Sequence, residues 1–271
     1  MNFSVLMSVY YKESPKFLLE SIKSIINQTL LPNEIVIVQD GELTTELTEI
    51  LGKYERNYPN LFKFIKLDQN VGLGPALAIG INECNNHIIA RMDSDDICHP
   101  ERFERQINYL NENPSIDVVG SWIGEFDQDY TEVTNVRKVP LSYQDVLNFA
   151  KTRNPLNHMT VVFRKKAVLD AGNYKPFLWN EDYYLWVRML NQNYKIVNLG
   201  EILVYARTGS EMYKRRGGIQ YLLKDISLQK EFLRMNFINR TTFYKNIIIR
   251  CFVRLLPNSL RGFVYKTLLR K

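Results

Sequence analysis

Three carboxylates fall within four residues in Asp93-Ser94-Asp95-Asp96, directly after the apolar run His87-Ile88-Ile89-Ala90-Arg91-Met92. Like charges this close repel, so some must protonate unless a cation neutralises them. Oxygen ligands suit Mg2+ or Mn2+, which keep waters and bridge substrate phosphates. The plainer alternative is a solvated turn in which Asp93 or Ser94 caps a helix. Asp40 closes a second apolar run, Val36-Ile37-Val38-Gln39, and Tyr10 closes a third, Ser4-Val5-Leu6-Met7-Ser8-Val9. An aromatic face holds a nucleobase by stacking, and a carboxylate accepts a base N–H. Singly, each is more often a turn or packing residue; their convergence on one edge is the informative part. The pair Glu181-Asp182 opens a helical pattern behind Asn180, a candidate cap. It either complements the helix dipole or supplies a general base.

These groups need a scaffold that gathers them. Residues 3–9 and 34–39 are short, β-branched and almost wholly apolar, as strands buried on both faces are. Between them Ser14 can cap a helix and Pro15 suits its first turn, with Leu18, Ile22, Ile25 and Thr29 on one face. A helix over about 44–56, a strand near 62–67, a Gly-rich turn at 70–75, a helix through Cys84 and a strand over His87–Met92 follow. The alternation predicts a doubly wound α/β sheet, and ligands bind such sheets at the carboxyl ends of the strands. Beyond it the pattern predicts a helix at 100–112, strands near 118–124 and 160–163, a helix from about 181, and strands near 195–199 and 202–206. From 217 onward it is helical.

Composition fits a globular chain of 271 residues, with 45% hydrophobic and 24% charged residues. Cys84, Cys98 and Cys251 stand far apart, which argues for a reducing compartment and against zinc. Met1-Asn2-Phe3-Ser4 enters a strand-like run directly, so no secretory signal is expected. No window offers the roughly 18 apolar residues of a membrane span. His87, His99 and His158 have no metal-ligand spacing; His158 is a packed residue or lines an acceptor site. No GxGxxG follows the first strand and no GxxxxGK[ST] is present, which excludes a dinucleotide-dependent dehydrogenase and a P-loop NTPase.

Taken in order, four motifs resemble the family-2 nucleotide-sugar glycosyltransferases. Ser4 to Tyr10, with Ser8, is similar to the family's first strand and base-stacking tyrosine. Asp40 is similar to its uracil-contacting carboxylate, Asp93-Ser94-Asp95 to its DXD element, and Glu181-Asp182 to its ED pair. Asn70-Val71-Gly72 keeps the Asn and Gly of a further motif, although Ala76-Leu77 stands where many members carry Arg-Asn. The QxxRW motif of processive relatives is absent, so the resemblance implies a single-addition enzyme.

What the resemblance implies is a glycosyltransferase A-type α/β fold with a Rossmann-like, mostly parallel mixed sheet and flanking helices. A nucleotide-binding half spans about 1–100 and an acceptor half about 101–216. Implied roles are Asp182 as general base, Asp95 and Asp93 as ligands of Mn2+ or Mg2+, and Ser8, Tyr10, Asp40, Gly72 and Ser94 in nucleotide-sugar binding. The implied reaction is inverting transfer of glucose or galactose from a UDP-sugar to GlcNAc or GalNAc on undecaprenyl diphosphate, with a β-linked product. Met212 to Gly218 resembles a segment of O-antigen and exopolysaccharide enzymes. There Lys214, Arg215 and Arg216, beside Glu181 and His158, are candidates for the diphosphate or acceptor, with a solvated basic loop as the alternative. The nearest enzymatic rival is a nucleotidyltransferase, which also uses carboxylates, metal and a nucleotide.

Charge is unevenly spread. Residues 240–271 hold eight of the 35 Lys and Arg residues and no Asp or Glu. In 242–256, Phe243, Ile247, Cys251 and Leu255, widened by Ile248 and Phe252, form an apolar stripe; Asn246, Arg250 and Arg254 share the other edge. Pro257 ends that helix, and a second follows. A basic amphipathic extension over 217–271 suits an anionic membrane surface, at the inner face of a bacterial cytoplasmic membrane, or else packs on the catalytic domain. Its interleaved apolar residues disfavour the remaining alternative, nucleic acid.

Overall fold

The structure is a computed structural model and describes residues 1–208 and 218–255. Lys214, Arg215, Arg216 and the second tail helix lie outside the described residues, as does the side chain of Leu255.

The apolar runs become β1 (Phe3–Val9), β2 (Glu34–Gln39), β3 (Phe62–Lys66) and β4 (Ile88–Arg91). They align in parallel in the order β3-β2-β1-β4. The sheet continues through β8 (Val162–Arg164), β6 (Val118–Phe126) and β9 (Ile196–Arg207) to β5 (Ile97–Cys98), with β7 (Asn135–Arg137) hydrogen-bonded to β6. Antiparallel β8 joins the parallel half to the rest, so the sheet is mixed and mostly parallel on its nucleotide side. The two strands expected near 195–199 and 202–206 are one strand, β9. Its pairing with β6 shifts register around Trp122, which absorbs Gly200-Glu201 without breaking the strand.

Alternation of side chains sorts each strand between two cores. Phe3, Val5, Met7, Ile35 and Ile37 face one side, with α1 (Pro15–Ile26), α2 (Thr45–Asn57) and α4 (Arg102–Glu112). Leu6, Val36 and Val38 face the other, with α3 (Leu73–Glu83), α5 (Tyr143–Ala150), α6 (Lys165–Asp170), α7 (Glu181–Asn191) and α8 (Ile219–Arg234). Thr44 and Ser142 cap α2 and α5 with side-chain bonds. Ser14 and Asn180 occupy the cap positions of α1 and α7 but make no side-chain cap bond, which corrects the expectation for both.

The final described helix, α9 (Arg240–Leu255), pairs with α8 as a hairpin. Its polar edge faces inward. Asn246 Nδ2 donates to Lys151 O (2.8 Å) and Gln229 Oε1 (2.7 Å), Arg250 Nη2 donates to Thr152 O (3.0 Å), and Arg254 Nε meets Asp225 Oδ2 at 2.8 Å. Phe243, Ile247 and Cys251 are half-buried, whereas Ile248 is 70% and Phe252 68% exposed. The edge that buries is thus the one with partners: Asp225, Gln229 and two backbone carbonyls satisfy its donors. No described helix is long and apolar enough to cross a membrane.

Candidate active site

Parallel pairing brings the ends of β1, β2 and β4 to one sheet edge. Tyr10 leaves β1 with its ring 39% exposed, edge-on to Tyr11, and Ser8 precedes it half-buried. Asp40 leaves β2 buried. Its carboxylate accepts from Val71 N (2.7 Å), Gly72 N (3.0 Å) and Asn70 Nδ2 (3.0 Å). These bonds fix the turn into α3, and Gly72 is required there by its φ of +89°. A carboxylate has about four lone-pair sites, so three are already used.

Past β4 the chain bends sharply, held on both sides. Ser21 Oγ donates to Asp93 O (2.9 Å), and Ser94 Oγ hydrogen-bonds Glu13. Arg207, at the end of β9, donates its backbone N–H to Asp96 Oδ1 (2.8 Å) and its guanidinium to Asp95 O (3.2 Å). Carboxylate oxygens of Asp93, Asp95 and Asp96 converge within 4.8 Å of one another. Burial, then repulsion from Asp93 and Glu13, pushes Asp95 up to about 7. Burial, then repulsion from Asp95 and Asp93, holds Asp96 well above the carboxylate range. A cluster of hard oxygen donors whose charges disfavour one another fits a divalent cation of the Mn2+ or Mg2+ type.

The pair opening α7 lies within the electrostatic reach of Arg91, the residue that pairs with Asp93. Gly74 is the reason α3 and α7 approach so closely: a Cβ there would stand 3.1 Å from Glu181 Cβ. Trp179, just before α7, has a φ of +71° and stacks on Tyr221 at 5.0 Å. Such strain in a bulky residue persists only where surrounding packing enforces it. Glu181 is half-buried with Oε2 unpartnered among the described residues, and burial raises its pKa. Asp182 accepts a hydrogen bond from Asn154 Nδ2 (2.6 Å). Burial raises its pKa; the Asn154 bond and the positive charges of Arg91 and Arg137 oppose that rise without cancelling it.

Arg91 links the acidic groups. It is 1% exposed at the end of β4, ion-pairs with Asp93, and stabilises the charged forms of both Glu181 and Asp182. Its Nε and Nη1 have no hydrogen-bond partner among the described residues. His158 Nε2 is 2.6 Å from Tyr174 OH and its ring lies against Trp186. Burial, reinforced by Arg91, keeps it neutral, so it belongs to packing beside the site and offers no charge to a diphosphate. Arg91, Asn154 and Gly74 were not singled out from sequence. A charged residue ending a wholly apolar strand is the signal that marks Arg91.

Comparison with known proteins follows the same lines. The family described as glycosyl transferase family 2 matches residues 4–170. A UDP-Gal:alpha-D-GlcNAc-diphosphoundecaprenol beta-1,3-galactosyltransferase of Escherichia coli is 40% identical over 100% of this chain and 97% of its own length. The amylovoran biosynthesis glycosyltransferase AmsE of Erwinia amylovora is 38% identical over 97% of this chain and 98% of its own. Among solved structures, S. aureus TarS 1-349 with UDP-GlcNAc superposes with a TM-score of 0.68 at 22% identity, over 99% of this chain and 77% of that one. A Pyrobaculum calidifontis mannosyltransferase with GDP-Man and Mn2+ gives 0.66 at 12% identity, over 96% and 71%. The architecture is that of the glycosyltransferase A-type fold, and with most of its length matched, the chain belongs to glycosyl transferase family 2.

Proposed function

We propose that this chain is an inverting, metal-dependent hexosyltransferase. It moves galactose, or glucose, from a UDP-sugar to a hydroxyl of GlcNAc or GalNAc carried on undecaprenyl diphosphate, in the assembly of a bacterial surface polysaccharide. The observation that carries the reading is the buried Arg91, paired with Asp93 and acting electrostatically on Asp182, which supports a shared site for the metal-type cluster and the candidate base. The Escherichia coli relative's name supports galactose, GlcNAc and the lipid diphosphate.

Tyr10 stacks on uracil, while Ser8 and Gly72 border the nucleotide and Asp40 holds the Gly72 turn rigid. Asp93 and Asp95 would hold Mn2+ or Mg2+, which when bound would supply Lewis-acid stabilisation for a diphosphate leaving group. Asp182, oriented by Asn154, takes the acceptor hydroxyl proton as that oxygen bonds to the anomeric carbon. The bond from that carbon to the phosphate oxygen breaks, UDP leaves with the electron pair, and configuration inverts. A raised pKa suits Asp182 to this role, since a carboxylate of higher pKa is a stronger base. The outward Ile248 and Phe252, with the basic tail, lay α9 against the inner face of the cytoplasmic membrane, where the lipid acceptor resides.

Incubating the full chain with Mn2+, UDP-galactose or UDP-glucose, and a GlcNAc-diphospho-lipid tests the reading. Free UDP and a β-linked disaccharide are expected. Free pyrophosphate would instead mark a nucleotidyltransferase, and an α-linked product would remove the inverting mechanism.

A further inference from the structure

A cavity of about 670 Å³ opens between α9, the N-terminal end of α7 and the loops at 137–140 and 152–154. Its charge is one-sided. Arg137, Lys138, Arg153, Lys245, Arg250 and Arg254 line it, against a single carboxylate, Asp225. That carboxylate is itself buried, with Arg254 at 2.8 Å and Arg250 at 3.9 Å. Lys138, Arg153 and Lys245 are exposed, with Lys138 Nζ over the Trp122 ring at 5.0 Å, so half of these cations lie outside the buried Asp225 pairing. Asn154 and Asn180 also line the wall, and Asn154 donates to Asp182. The cavity therefore begins one side chain away from the candidate base. Its apolar wall, Ile249 and Val253, continues outward to the exposed Ile248 and Phe252.

We infer that this cavity binds the diphosphate of a lipid-linked acceptor, with Lys138 and Lys245 as its principal ligands. The lipid chain leaves along Ile249 and Phe252, and the sugar lies towards Asp182. The inference rests on the acceptor class proposed above and adds the residues that recognise it. A diphosphate carries several acceptor oxygens and charge that cationic side chains match, and an alkyl chain beside it needs an apolar exit. Both features meet in one cavity. A nucleotide diphosphate has the same headgroup chemistry, so the test must separate donor from acceptor.

The full chain and its Lys138→Gln/Lys245→Gln variant are compared in two measurements. In the first, KM is determined for a GlcNAc-diphospho-lipid and for UDP-galactose. The acceptor KM should rise about tenfold or more in the variant, with the donor KM unchanged. A rise confined to the donor, or no rise in either, would overturn the inference. In the second, inorganic pyrophosphate is titrated calorimetrically into both proteins in metal-free buffer, where the 93–96 carboxylates repel anions. Binding by the parent and its loss in the variant are expected. This arm reads the cavity even if no hexose is transferred: pyrophosphate binding without transfer removes the proposed reaction and keeps the site. Transfer with equal acceptor KM and equal pyrophosphate binding removes the site and keeps the reaction. A thermal melt of the variant, with Tm near the parent's, excludes unfolding as the cause.

Discussion

Replacing Asp182 by Asn separates chemistry from structure. The amide oxygen can still accept from Asn154 Nδ2, now 2.6 Å from Asp182 Oδ2, so the loop carrying Asn154 keeps its anchor. What disappears is the ability to take a proton. Loss of a positioned general base costs roughly 10²–10⁴-fold in rate, and kcat should fall by that amount while the KM of the UDP-sugar stays put. Stability should move the other way. Burial raises the pKa of Asp182, so the folded protein holds this proton more tightly than the unfolded chain does. A carboxyl of that kind loses stability as pH rises above its unfolded pKa of about 3.9. The neutral amide removes this loss, so Tm near neutral pH should equal or exceed that of the parent. The assay is continuous UDP release with saturating donor and acceptor, paired with a thermal melt. A variant within about threefold of the parent in kcat would refute the assignment. A large fall in both kcat and Tm would mean that the residue holds the fold together rather than catalysing.

Other perturbations follow from the same geometry. Asn154→Ala removes a hydrogen bond that favours the ionised base, so the acidic limb of kcat/KM should move to higher pH, read from a pH–rate profile. Asp95→Asn should abolish Mn2+-dependent UDP binding in calorimetry, yet raise Tm in chelator because one of three repelling carboxyls is gone. Gly80→Ala would place a Cβ 2.4 Å from Leu6 Cδ1 and 2.8 Å from Val38 Cγ2; it should cost about 1–3 kcal/mol in denaturant unfolding. Ile248→Ser/Phe252→Ser should reduce sedimentation with anionic liposomes without lowering Tm, since both side chains are exposed.

The parallel half of the fold was legible because β1, β2 and β4 are apolar throughout and their ends carry the polar residues. Strand identity and strand direction together predict that Tyr10, Asp40 and Asp93 share an edge. The acceptor half was harder to read. β5 has two residues, β7 three and α6 six, too short for any period to register. Asn154 escaped notice because its importance comes from a contact 28 residues away, with nothing local to mark it. In α9 the two edges were visible in the spacing of Asn246, Arg250 and Arg254. Which edge turns inward is decided by Asp225 and Gln229 on α8, a tertiary fact.

The inward ladder of α9 bears on how such enzymes can be recombined. Asn246 and Arg250 hold carbonyl oxygens of residues 151 and 152, so the grip is on main chain and tolerates any side chain in that turn. Two residues further on, Asn154 hydrogen-bonds the proposed base, Asp182. A chimera that imports residues 219–255 from a relative therefore keeps its catalytic alignment if the incoming segment carries the Asn, Arg, Asp and Gln of this brace. Cutting the segment off instead unties the turn, and a shortened enzyme prepared for convenience would report on a misaligned one.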